Sequence, residues 1–150
     1  MWRECKRERV FEILNNDFSL YPTDSPVTRE IIIEWLRYYP QCAATWQDKE
    51  NDEEWANVVL VPLSEKGWQR ILHSRPFRES DLYGDLLFRP QIDDKVAFHI
   101  YHVEKNRISA ERSFRLHVNL CQYVNDFLIP TVNVSVLGFS AYCVTNDGIR

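Results

Sequence analysis

Lys95-Val96-Ala97-Phe98-His99-Ile100-Tyr101-His102-Val103 is the stretch on which the fold turns. Its apolar run reads as a strand buried on both faces, the habit of an inner strand in a covered sheet. Residues 113–128 follow as an amphipathic helix, with Phe114, Val118, Cys121 and Leu128 on one side. Residues 131–144 then return as a second apolar strand, interrupted at Gly138. A buried strand, a crossover helix and another buried strand predict parallel neighbours. Their expected parting near Gly138 would leave a slot, and the turn into the helix places any site near residues 102–113.

Working outward, residues 4–15 predict a short helix carrying Val10, Phe11 and Leu14, stopped by the Pro22 to Pro26 turn cluster. A second helix begins near Thr28; Ile31, Trp35 and Tyr38 recur at helical spacing until Pro40 ends it. Residues 42–47 and 55–63 predict an antiparallel pair, the second inner because Val58-Val59-Leu60-Val61 is so apolar. Residues 64–72 form a helix capped by Ser64, despite the cost of Gly67. Residues 74–94, punctuated by Pro76, Gly84 and Pro90, read as a loop with a single helical turn. Strands and helices mixed in this order predict one α/β (α+β) domain over residues 1–150, a mixed sheet with helices on both faces.

Composition narrows the class. Hydrophobic residues at 45% and charged residues at 27% suit a globular core, and no apolar run is long enough to span a membrane. The charged first nine residues lack a signal-peptide pattern, so the default expectation is cytoplasmic. A net charge of −4 argues against a nucleic-acid partner. Five acids and one lysine crowd residues 48–54, read first as a solvated hairpin loop and second as a landing patch for a basic substrate. Cys5, Cys42, Cys121 and Cys143 show no paired metal-ligand spacing, so no metal site is expected, and Cys42, Cys121 and Cys143, within apolar segments, read as packing residues.

The order of elements resembles the GNAT N-acetyltransferase superfamily. Trp55-Ala56-Asn57-Val58-Val59-Leu60-Val61-Pro62-Leu63 is similar to its inner strand, residues 98–103 to its central strand, and residues 136–144 to the splayed partner. The resemblance implies acyl transfer from acetyl-CoA to a small-molecule or peptide amine. Backbone groups around His102 and Val103 would hold the thioester arm, while Arg107, Arg112 and Ser113 would meet the pyrophosphate. The sequence departs from the family where a glycine-rich loop should cradle that pyrophosphate: residues 106–113 contain no glycine, and Glu111 adds repulsion. A second expectation is therefore an interaction or regulatory module of the same fold that has lost the cofactor. The family also continues with a helix and two strands where this sequence reaches Arg150, so an incomplete domain is expected, with an open edge that favours a homodimer.

For the chemistry, Glu104 at the end of the central strand is placed to accept an amine proton, against the blander reading of a solvated charge. Tyr142 could protonate a departing thiolate, or simply pack with its hydroxyl at the rim. His99 and His102, three apart on a strand, are expected on opposite faces, each more often a satisfied structural histidine than a catalyst. His117 reads as a surface residue, and no motif supports a Cys–His nucleophile.

Overall fold

The structure is a computed structural model that describes residues 1–50, 52–74, 76–105 and 115–142. It contains a five-stranded mixed sheet in the order β1-β2-β3-β4-β5. The strands are β1 (Trp2–Glu4), β2 (Ala43–Gln47), β3 (Glu54–Leu63), β4 (Lys95–Lys105) and β5 (Ser135–Ala141). The first three pairings are antiparallel, and β4 and β5 run parallel. The class expected from the sequence is the one observed.

The N-terminus differs from expectation. Residues 2–4 form an edge strand, because Trp2 pairs across to Trp46 and the Cys5 amide bonds the Ala43 carbonyl. Helix α1 then spans Arg7–Leu20, later and longer than the helix expected over residues 4–15. Helix α2 (Arg29–Trp35) starts where the Thr28 hydroxyl accepts the Ile31 amide, and it ends before Tyr38. The acidic run does close the β2–β3 hairpin, with the Asp48 amide bonded to the Glu53 carbonyl.

Pro62 lies inside the apolar strand β3, a position that normally excludes proline. It costs no ladder bond here: β2 pairs only as far as Val59, and the Pro62 carbonyl accepts from Phe88 instead. Helix α3 (Glu65–His73) begins with Ser64 accepting the Gly67 amide. Gly67 is fixed by space, since a Cβ there would sit 2.1 Å from the Leu86 carbonyl oxygen. The described residues of 74–94 hold two single 3-10 turns, Glu79–Asp81 and Gly84–Leu86, one more than expected, and Gly84 takes a left-handed φ of 62°.

The crossover helix runs as α4 (Leu116–Gln122), a π-helical segment Tyr123–Leu128, and α5 (Ile129–Val132). Pro130, expected to stop the helix, sits in its last turn. The preceding wide π turns shift the hydrogen-bond register, so the missing N–H falls at the start of a new α segment. Asn133 ends it in the left-handed conformation, and β5 therefore starts four residues later than expected.

Register assigns the faces. His99, His102 and Glu104 pair with Val61, Val59 and Asn57, alternate residues of β3, so all three share one face. Tyr101 is the extra residue of a β-bulge opposite Val59 and Leu60. That bulge reverses the parity on which opposite faces were expected for His99 and His102. On this same face, α1 reaches His102 through Asp17, Trp35 of α2 packs on Tyr101, and Trp68 of α3 lies against Gly138. The crossover helix covers the other face, where Tyr123 packs on Trp2. Ile13, Ile32, Leu60, Phe98, Tyr123 and Leu128 are among the fully buried side chains of one continuous core.

Candidate functional site

β4 and β5 do not part at Gly138. A bulge there skips Leu137, Ala97 pairs with Gly138, and pairing continues to Ile100 and Ala141. A Cβ on Gly138 would meet the Trp68 ring at 3.0 Å, which accounts for the glycine. Beyond Ile100, β4 runs on to Lys105 paired with β3, and among the described residues no strand pairs with the other edge of Tyr101 to Glu104. A cleft of about 780 Å³ opens beside that edge, closed by the C-terminal turn of α1, residues 20–27 and residues 77–80.

His102 is the centre of its polar wall. Its Nδ1 lies 2.9 Å from Asp17 Oδ2, and Nε2 lies 3.5 Å from Glu104 Oε2. A carboxylate only accepts, so Asp17 fixes a proton on Nδ1, and the Glu104 carboxylate faces Nε2. That Nε2 is buried and has no hydrogen-bond partner among the described residues. Glu104 is half exposed at the mouth. Tyr101 also lines the cleft; burial, then the Asp17 and Glu79 carboxylates, push its phenol well above the ordinary tyrosine value, so it stays protonated.

His99 is buried and satisfied on both nitrogens. Nε2 donates to Glu79 Oε1 at 2.7 Å, and Nδ1 meets Ser140 Oγ at 3.0 Å across the β4–β5 pair. It holds Glu79 against the sheet and does not line the cleft, which fits the structural reading of this residue. Tyr142 does line it, stacked on Phe77 at 5.1 Å, with its hydroxyl donating to the Phe77 carbonyl. Among the described residues the lining carries Asp17, Asp24, Glu79 and Glu104 against one arginine, Arg78, whose guanidinium donates to Ser25.

His102, Val103, Glu104 and Tyr142 thus meet at one cleft, while Arg107, Arg112 and Ser113, like Cys143 and the side chain of His117, lie outside the described residues. Asp17, Tyr101 and Glu79 were missed. Asp17 falls beyond the expected end of the first helix, and only the helical repeat from Val10 through Ile13 and Leu14 pointed toward a longer α1. No group of three metal-ligating side chains occurs among the described residues, and no described helix is long and apolar enough to cross a membrane.

No protein-family model and no curated protein matches the chain. Among solved structures, the tetramutant of the BH1408 protein from Bacillus halodurans is similar to it, with a TM-score of 0.49 and 8% identity. The alignment covers 100% of this chain and 86% of that one.

Proposed function

We propose that the cleft is an acyl-transfer site, in which an amine takes an acetyl group from acetyl-CoA. The observation that carries this reading is the edge of β4 from Tyr101 to Glu104, which no strand among the described residues pairs with, lying beside the Asp17–His102–Glu104 wall. An extended arm bearing amide groups fits such an edge, because unpaired strand N–H and C=O groups bind it as a further strand would. Acetyl-CoA supplies the activated acetyl group; the chain supplies position and a base.

The acidic mouth draws in the ammonium form of the acceptor. Glu104, half exposed at the mouth, takes the proton from the amine and passes it to solvent, and His102, held by Asp17, orients that carboxylate from behind. The free amine would form a C–N bond at the acetyl carbon as the C–S bond breaks, its second proton leaving to solvent. Tyr142, with its phenol at the rim, is the candidate donor to the departing thiolate. Calorimetry with acetyl-CoA tests the proposal: saturable heat at or below millimolar cofactor supports it, and none at that concentration retires the enzymatic version.

A second reading, a module of this fold without the cofactor, draws on the charge of the lining. Four carboxylates and one arginine among the described residues suit a pyrophosphate poorly, and the sequence of residues 106–113 contains no glycine. Acetyl-CoA affinity that appears only after Glu111→Gly with Ser113→Gly would favour that reading.

A further inference from the structure

The acidic hairpin, which the cleft does not use, borders a second pocket on the opposite face of the sheet. This pocket, about 650 Å³, is walled by Trp2, Trp46, Trp55 and Phe127. Trp2 and Trp46 are direct cross-strand partners, and their rings meet edge to face at 5.6 Å and 78°, forming a corner. Trp2 is held rigidly: its indole N–H donates to the Asn119 carbonyl at 2.7 Å, and its ring rests on buried Tyr123 at 5.0 Å. Trp55 is the extra residue where β3 bulges between Glu54 and Ala56. Phe127 and Asp126 come from the π-helical segment, a geometry that recurs at functional sites.

The rim is charged. Asp48, Glu50 and Asp126 line it, against Lys49 and the Met1 amino group, which itself donates to the Gln47 carbonyl. Indole faces carry a negative quadrupole, and rings held at a corner surround a cation without needing to reorganise. A bare ammonium keeps its water in such a place; a methylated one desolvates cheaply and gains contact with the rings. We infer that this pocket binds a methylated ammonium group, neutralised by the carboxylates of the hairpin rim and Asp126. The inference stands independently of the acyl-transfer reading, because no residue is shared between the two pockets.

The test follows the indole N–H signals of the full chain by NMR, assigned with Trp→Phe variants. The probes are tetramethylammonium chloride, a Gly-Gly-(trimethyl-Lys)-Gly-Gly peptide, its unmethylated form, and a peptide with a neutral tert-butyl isostere of the trimethylammonium. Saturable shifts of Trp2 and Trp46 by the methylated probes are expected, with the unmethylated and neutral peptides at least about tenfold weaker. Asp126→Asn, an exposed change that leaves the fold intact, should weaken binding about threefold or more. Tighter binding of the peptide than of tetramethylammonium assigns the group to a polypeptide, and equal binding assigns it to a free quaternary amine; both support the pocket. A neutral isostere that binds as well as the cation, or indole signals that do not move, overturns it.

Discussion

The residue that governs the cleft is the one that breaks the strand's alternation. Tyr101 bulges out of β4, and the resulting change of parity brings His99, His102 and Glu104 onto a single face. Without that insertion His102 would point away from Asp17, and the polar wall would not exist. Glu104→Gln keeps size and hydrogen bonding but removes the charge beside His102, so turnover of an acceptor amine should fall about a hundredfold or more, with little change in thermal stability. A steady-state assay beside a melting curve separates the two effects. Asp17→Asn should likewise depress activity, by freeing the tautomer of His102. Its signature is a lower kcat with an unchanged melting temperature. Gly67 makes the opposite kind of prediction. Gly67→Ala drives a methyl into the Leu86 carbonyl and should destabilise by about 1–3 kcal/mol in chemical denaturation, with any activity of the folded fraction unchanged.

At the scale of elements, what periodicity can report was legible and what contacts decide was not. The inner strands β3 and β4 stood out because continuous Val, Leu and Phe runs have no other stable home than a covered sheet. The parallel β4–β5 pair followed from the helix between them. The first strand was invisible: three residues, Trp2 to Glu4, become a strand only because Trp46 and Ala43 lie across from them. Pro130 was misread as a stop because sequence cannot announce a π-helical segment ahead of it. Of the residues that line the cleft, Glu104 was singled out at a strand end, and His102, Val103 and Tyr142 through the family resemblance of the two strands. Asp17 and Glu79 come from distant elements and are joined only by the fold. Helix α2 offers a direct check on the capping assignment. Thr28→Ala removes the acceptor for the Ile31 amide and should cost about 1 kcal/mol, read from the shift in a denaturation midpoint.

For the whole molecule, alkaline pH probes the core. Cys42 and Tyr123 are buried, and burial raises both acids in the folded state above their ordinary values of 9.0 and 10.0. The unfolded chain therefore loses these protons first, and unfolding is favoured as pH climbs. Stability should be flat in these groups below about pH 9 and fall above it, more shallowly in Cys42→Ala. A denaturant midpoint that does not change between pH 8 and pH 11 would contradict this burial.

The proposed acyl transfer rests on the edge of β4 that no described strand pairs with, and on the His102–Glu104 pair beside it. The most direct measurement is a backbone amide NMR titration of the full chain with acetyl-CoA. Saturable shifts concentrated at Tyr101 to Glu104 and at Tyr142 are expected. An unmoved spectrum at millimolar cofactor, or shifts confined to residues away from the β4–β5 cleft, would contradict acyl transfer at this site.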